Sequence, residues 1–133
     1  MSYSGQCQCG AIRYQLSGEP GTVALCHCID CRRSSGAPVM AWAEFPEASL
    51  KLLQGEPKTI NSSGTAMRSF CGVCGTGLFY RNAGILPGLV EVQLATLDAA
   101  DTLAPTMHIQ TAEQLPWMER VHQLPAFERF PEM

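Results

Sequence analysis

The chain has 133 residues, of which 46% are apolar and 16% charged, a composition typical of one folded domain with a single core. Its formal charge of −3 and the lack of any run of Lys or Arg argue against a phosphate-neutralising face, so no nucleic-acid partner is expected. No apolar stretch approaches the roughly 20 residues of a membrane span, and the N-terminus does not resemble a secretory signal. We therefore expect a cytoplasmic protein with no membrane partner.

Short strands separated by Gly and Pro turns dominate the predicted secondary structure. The first is predicted over residues 11–16, where apolar and polar side chains alternate with the period of a half-buried strand. Further strands are predicted, in chain order, over residues 22–26, 39–45, 50–53, 58–61, 67–70, 77–80, 89–96 and 106–109. Helical turns are predicted only over residues 29–35 and, near the C-terminus, over residues 116–122. This order predicts an all-β sandwich or stack of sheets in one domain over residues 1–133.

The seven cysteines divide into three groups along the chain. These are Cys7 and Cys9, then Cys26, Cys28 and Cys31, then Cys71 and Cys74. An odd number of cysteines does not form a complete disulfide framework, and grouped thiols in a reducing compartment are typical of metal or catalytic sites. The first and last groups together supply four ligands, and the middle group supplies three.

Cys71 and Cys74, followed by Gly75, predict a metal-binding knuckle. In a Cys-x-x-Cys-Gly turn the backbone amides point towards the sulfurs, and both thiolates face one ion. Tetrahedral zinc requires two more ligands, which Cys7 and Cys9 can supply from a distant strand, as in a zinc ribbon. A redox Cys-x-x-Cys pair usually opens a helix, whereas strands are predicted on both sides of this pair. We therefore predict a structural zinc on these four cysteines.

Cys26, Cys28 and Cys31 indicate a site of a different kind. All three can face one ion if the chain leaves a strand at Cys26 and enters a short helix. His27 lies between two ligands and points the opposite way in an extended segment, so it is a poor fourth ligand. Three protein ligands with an open fourth position are typical of catalytic zinc. A site closed by His108 or by a partner chain is the non-catalytic alternative.

Three segments together resemble the signature blocks of a known family. They are Gly5-Gln-Cys-Gln-Cys-Gly-Ala-Ile-Arg-Tyr14, Cys26-His-Cys-Ile-Asp-Cys-Arg32 and Phe70-Cys-Gly-Val-Cys-Gly-Thr76. In this order and spacing they are similar to the glutathione-dependent formaldehyde-activating enzyme family, which includes the domain of centromere protein V. The resemblance implies a β-tent fold of stacked antiparallel sheets. Zinc-ribbon-like cysteine knuckles and one short helical turn after the middle cysteines complete the expected fold.

The resemblance also implies two zinc ions per chain, a structural ion on the first and last cysteine groups and a second ion on the middle group: Cys7, Cys9, Cys71 and Cys74, and Cys26, Cys28 and Cys31. The implied activity resembles that of S-(hydroxymethyl)glutathione synthase, a carbon–sulfur lyase that adds the thiol of glutathione to formaldehyde. A small-molecule thiol and an aldehyde are therefore the expected partners, and the three middle cysteines are the expected catalytic residues.

Neighbouring residues and two other functions leave alternatives open. Arg32 and Arg33 either offset the charge of the second site or hold a substrate carboxylate, or they lie on a solvated helix face. His27 and His108 either shuttle a proton or make structural hydrogen bonds. The first alternative function is a non-catalytic, zinc-stabilised binding module. The second is a thiol-redox enzyme such as a methionine sulfoxide reductase, which shares the β-tent fold. That enzyme uses a lone nucleophilic cysteine, and the clustered cysteines here disfavour it.

Overall fold

Ten strands and one α-helix make up most of the regular structure in the computed structural model, which describes residues 1–131. The strands are β1 (Ser2–Gln6), β2 (Arg13–Ser17), β3 (Val23–Cys26), β4 (Met40–Pro46), β5 (Leu50–Gln54), β6 (Lys58–Ser63), β7 (Ala66–Phe70), β8 (Gly77–Asn82), β9 (Leu89–Gln93) and β10 (Met107–Ile109). The helix is α1 (Ile29–Ser35), and short 3-10 helices cover Glu47–Ser49, Leu94–Thr96, Ala100–Thr102, Thr111–Glu113 and Pro116–Gln123.

The strands form two sheets. The smaller sheet has the order β1-β2-β5, and the larger has the order β10-β3-β4-β9-β8-β7-β6. Neighbouring strands are antiparallel except β10, which pairs parallel to β3 and places Ile109 opposite Cys26. The predicted all-β fold of stacked sheets is confirmed, with this one parallel edge pairing as a departure from the antiparallel pattern.

The core contains alternate residues from both sheets. Tyr14 and Leu16 of the small sheet and Phe45, Phe79 and Val92 of the large sheet are almost fully buried in one cluster. The rings of Tyr14 and Phe79 meet edge to face at 5.1 Å between centroids. Each side chain of this size stabilises the fold by about 1.5–3 kcal/mol when fully buried. The alternation seen in the sequence therefore marks the face on which the sheets meet.

Strand β1 is the element that the sequence pattern did not predict. Apart from Tyr3, its residues are polar or glycine, so they show no apolar alternation, and it pairs with β2 along its whole length. A Cβ atom on Gly5 would lie 2.3 Å from the Tyr14 ring, so only glycine allows this close approach. The predicted strand over residues 89–96 ends early, at Gln93, where a 3-10 turn begins.

Both predicted helical segments are present. Helix α1 begins after Cys28, whose Sγ accepts a hydrogen bond from the Cys31 N–H at 3.2 Å. It ends at Gly36, which adopts the left-handed conformation at φ 72° that terminates helices. The second segment is the 3-10 helix Pro116–Gln123. Within residues 1–131, every helix is too short or too polar to cross a bilayer.

Candidate metal centres and active-site cavity

The first centre joins a hairpin loop of each sheet. Cys7 and Cys9 lie between β1 and β2, and Cys71 and Cys74 lie between β7 and β8. Their four sulfurs lie within 4.8 Å of one another, and Cys7 and Cys71 are each only 1% exposed. The structure thus brings together the four cysteines predicted to share one ion. An ion at this place links the small sheet to the large one.

Backbone amides surround the sulfurs of this centre. The Ile12 N–H donates to Cys7 Sγ at 3.3 Å, and the N–H groups of Val73 and Cys74 both donate to Cys71 Sγ at 3.4 Å. Gly75 completes the knuckle at φ 81°, a conformation that residues with a Cβ rarely adopt. Hydrogen bonds donated to sulfur favour the thiolate, which is the form that binds metal.

The second centre lies where β3 passes into α1. Cys26 is the last residue of β3, Cys28 caps the helix, and Cys31 lies in its first turn. Their sulfurs lie within 4.8 Å of one another, with Cys26 and Cys31 buried and Cys28 half-buried. Within residues 1–131, no histidine nitrogen or carboxylate oxygen completes this group. The structure therefore brings together the three thiols that were predicted to share an ion.

His27 and His108 contact each other rather than the sulfurs. His27 is fully buried, its Nε2 lies 2.8 Å from His108 Nδ1, and burial lowers the pKa of the His27 imidazole. The backbone N–H of His27 also donates to the backbone carbonyl of Ile109 at 3.1 Å. A cavity lies beside the second centre, and neither histidine lines it. This geometry supports structural hydrogen bonds as the role of the two histidines and gives proton transfer no support.

In each of the two centres, the thiols are suited to binding one divalent ion together. Hydrogen bonding from Cys26 lowers the pKa of Cys31 to about 5, with further help from Arg68, whereas the pKa of Cys26 itself is raised. In the first centre the Thr76 hydroxyl is the main cause that lowers the pKa of Cys74 to about 5. Thiolates this close repel one another, so several ionise together only around a cation. All-sulfur donor sets favour a soft, thiophilic metal.

A cavity of about 300 Å³ lies beside the second centre. Its wall includes all three cysteines of that centre and none of the first. The remaining wall residues are largely apolar with a few charged ones: Thr22, Ala24, Asp30, Trp42, Glu44, Arg68, Tyr80, Ile85, Leu86, Glu91, Ile109 and Gln110. The open side of the three-cysteine group therefore faces a small, largely apolar space.

One row of cavity residues runs across four neighbouring strands. Glu44 of β4 pairs with Glu91 of β9, Glu91 pairs with Tyr80 of β8, and Tyr80 pairs with Arg68 of β7. Burial raises the pKa of Glu91 to about 7, and the charges of Glu44 and Cys31 add to this effect. The sequence alone does not predict the charged members of this row, because isolated charges within strands become a group only when the strand register is known.

The arginine that contacts the second centre is neither Arg32 nor Arg33. Arg33 is exposed, and Arg32 donates from Nη2 to the Glu113 carbonyl at 3.5 Å. Neither lines the cavity. Instead Arg68, 37 positions along the chain from Cys31, places Nη2 at 3.7 Å from the Cys31 sulfur. The positive charge that contacts the second centre therefore comes from strand β7 and not from helix α1.

The substitution Glu91→Gln is expected to change how stability depends on pH. In the unfolded chain the Glu91 carboxyl loses its proton near pH 4.5, its ordinary pKa. In the folded protein the raised pKa lets it keep the proton up to a pH of about 7. The free energy of unfolding contributed by Glu91 therefore falls as pH rises through this window. Between pH 5 and pH 8 the variant should gain about 1–2 kcal/mol on the wild type, a figure reduced for partial solvent exposure.

Urea unfolding of both proteins at the two pH values, with metal kept saturating, measures this difference. Glu44→Gln serves as the control, since it leaves Glu91 titratable and removes only one of the causes of its raised pKa. The same pH dependence in wild type and Glu91→Gln would contradict the assignment.

Comparisons with known proteins agree with this geometry. The family model described as glutathione-dependent formaldehyde-activating enzyme matches residues 2–113. A Schizosaccharomyces pombe protein named an uncharacterized lyase is 35% identical over 78 residues, which are 59% of this chain and only 56% of that relative. A crystal structure of a Rhodobacter sphaeroides protein is similar with a TM-score of 0.64 and 25% identity, over 79% of this chain and 98% of the other. Because the family match includes all seven cysteines, the chain belongs to the glutathione-dependent formaldehyde-activating enzyme family.

Proposed function

We propose that the protein is a zinc-dependent carbon–sulfur lyase that joins a thiol, such as glutathione, to formaldehyde or a related small aldehyde. One observation carries this proposal: all three cysteines of the three-cysteine group line a single cavity, whereas only Cys7 of the four-cysteine group lines one, and that cavity is shallower. The family match and the lyase name of the yeast relative support the same class of reaction. Seven free thiols also favour a reducing compartment, so we place the protein in the cytoplasm.

The two centres have different roles in this proposal. Cys7, Cys9, Cys71 and Cys74 hold a structural zinc, since four thiolates complete its tetrahedron. Cys26, Cys28 and Cys31 hold the second zinc and are the catalytic cysteines. Bound by these three cysteines, zinc would favour the thiolate form of a thiol that approaches it.

The cavity residues supply the rest of the chemistry. The substrate thiol releases its proton, which the Glu44 carboxylate on the cavity wall can accept. The sulfur lone pair then forms a bond to the carbonyl carbon. The π electrons of the carbonyl move to its oxygen, which takes up the proton that Glu44 accepted and becomes the hydroxyl of the adduct. Apolar wall residues such as Trp42 limit the access of water. A volume of about 300 Å³ suits a small molecule.

Titration of the cobalt-substituted protein with glutathione tests this proposal. We expect the visible spectrum to change on binding, because sulfur enters the coordination sphere of the second ion. The same protein should accelerate the consumption of formaldehyde when thiol is present. The matched control is a glutathione analogue with a hydroxyl in place of the thiol, which should leave the spectrum unchanged.

The possible outcomes separate the competing functions. A spectrum that does not respond to any thiol would contradict the lyase proposal and favour the non-catalytic binding module. A spectral change without any acceleration of formaldehyde consumption would retain the thiol site and contradict this choice of aldehyde.

A further inference from the structure

Arg68 is a buried cation that contacts a predicted metal ligand from outside the ligand segment. Its side chain is only 10% exposed, and its Nη2 lies 3.7 Å from Cys31 Sγ and 3.8 Å from the Asp30 carboxylate. Its Nε donates to the Ser62 hydroxyl at 3.1 Å. Its guanidinium carbon lies 4.9 Å from the centre of the Tyr80 ring. Four neighbours therefore fix the position of this guanidinium.

The charge balance of the cavity indicates what a cation at this position does. Three thiolates around a divalent ion carry one net negative charge, and a substrate thiolate adds a second. The cavity wall contributes three acidic side chains, those of Asp30, Glu44 and Glu91, and a single Lys or Arg side chain, that of Arg68. Because uncompensated charge is costly away from water, an anionic sulfur enters such a space readily only beside a fixed cation.

We propose that Arg68 is a positioning residue for the three-cysteine centre. Its guanidinium holds the Cys31 sulfur as a metal-binding thiolate and offsets enough charge for a second anionic sulfur to occupy the open position. The first half of this inference concerns metal retention and is independent of the reaction. The second half rests on the proposed function, since it concerns the substrate thiol.

The geometry requires arginine rather than any cation. A planar guanidinium donates from Nε and Nη2 in different directions while its face covers an aromatic ring, as it does here with Ser62, Cys31 and Tyr80. A lysine ammonium is a single point charge on a flexible stem, so it can restore the charge but not all of the contacts. Lysine at position 68 should therefore restore part of the effect.

Release of zinc from the fully loaded protein to a chromogenic chelator tests the first half. We expect Arg68→Met to release one of the two ions roughly 10- to 100-fold faster than the wild type, the usual effect of losing a residue that orients a metal ligand. Arg68→Lys should lie between them. The other ion should leave at the wild-type rate in all variants, which also reports that the fold is intact.

Arg81→Met is the matched control. Arg81 also lies over an aromatic ring, at 5.6 Å from the centre of Phe79, and it pairs with Glu47 at 2.9 Å, but it does not line the cavity. Its replacement should leave both release rates unchanged. Equal release from Arg68→Met and the wild type would overturn the proposal. If Arg68→Met does not fold, Arg68→Lys decides, and a wild-type release rate in that variant overturns it equally.

Thiol titration of the cobalt-loaded wild type and Arg68→Lys tests the second half. We expect the lysine variant to bind both glutathione and 2-mercaptoethanol several-fold more weakly. Equal affinities in the two proteins would overturn the role of Arg68 towards the substrate. If the wild type binds no thiol at all, the proposed function fails instead, and the zinc-release comparison still decides whether Arg68 supports the metal.

Discussion

Cys71→Ser and Cys7→Ser are each expected to leave a protein that is unfolded or aggregated in its purified state. Both cysteines are buried at the point where the two sheets meet, and both belong to the main core. Structural zinc in small domains contributes on the order of 10 kcal/mol or more to folding, which is comparable with the entire stability of a domain this size. Losing one ligand therefore removes most of the free energy that favours the folded state.

Far-UV circular dichroism, thermal melting and the zinc content of these variants measure this effect. Val73→Ala is the matched control, because Val73 lies in the same knuckle but is 81% exposed, so its removal should leave melting and zinc content unchanged. Soluble Cys71→Ser and Cys7→Ser proteins that keep two ions and melt normally would rule out the four-cysteine assignment.

Cys28→Ser is expected to have the largest effect on activity while leaving the fold intact. The sulfur of Cys28 caps α1 by accepting the Cys31 N–H, and a serine oxygen takes over this cap equally well. The substitution therefore removes one ligand of the second ion without removing the helix cap. We expect one zinc per chain, near-wild-type melting, and loss of both thiol binding and thiol-dependent consumption of formaldehyde.

Cys28→Ala separates the two roles of this side chain. It removes the ligand and the cap together, so it should match Cys28→Ser in metal content but be less stable by about 1 kcal/mol. If Cys28→Ser instead collapses as Cys71→Ser does, the middle cysteines are structural and the catalytic assignment of the second centre is wrong.

The features that the sequence predicted well are local in the chain. Helix α1 matched its predicted residues 29–35, because its cap and its terminating glycine lie within a few positions of it. The three-cysteine group was also predictable, since its three members lie within six residues of one another in the chain. The pairing of Cys7 with Cys71 is distant in the chain, but the ligand number of zinc required two pairs to combine, and the structure brings these four together.

The features that the sequence did not predict depend on strand register. Arg68 contacts Cys31 although strands β4, β9 and β8 separate its strand β7 from β3 in the large sheet. Glu44 and Glu91 face each other because β4 and β9 pair, although four other strands lie between these two along the chain. The contact between His27 and His108 likewise follows from the parallel pairing of β10 with β3. Side-chain spacing along one strand contains no information about these partners.

The two centres also differ in the time during synthesis at which all of their cysteines are present. The three cysteines of the middle group emerge together, so their ion can bind while most of the chain is still unsynthesised. Cys9 and Cys71 lie 62 residues apart. At typical elongation rates of about 5–20 residues per second, the nascent chain carries Cys9 as an unliganded thiol for roughly 3–12 s before its partner exists. An ion shared by all four cysteines can therefore join the two sheets only after Cys74 has been synthesised.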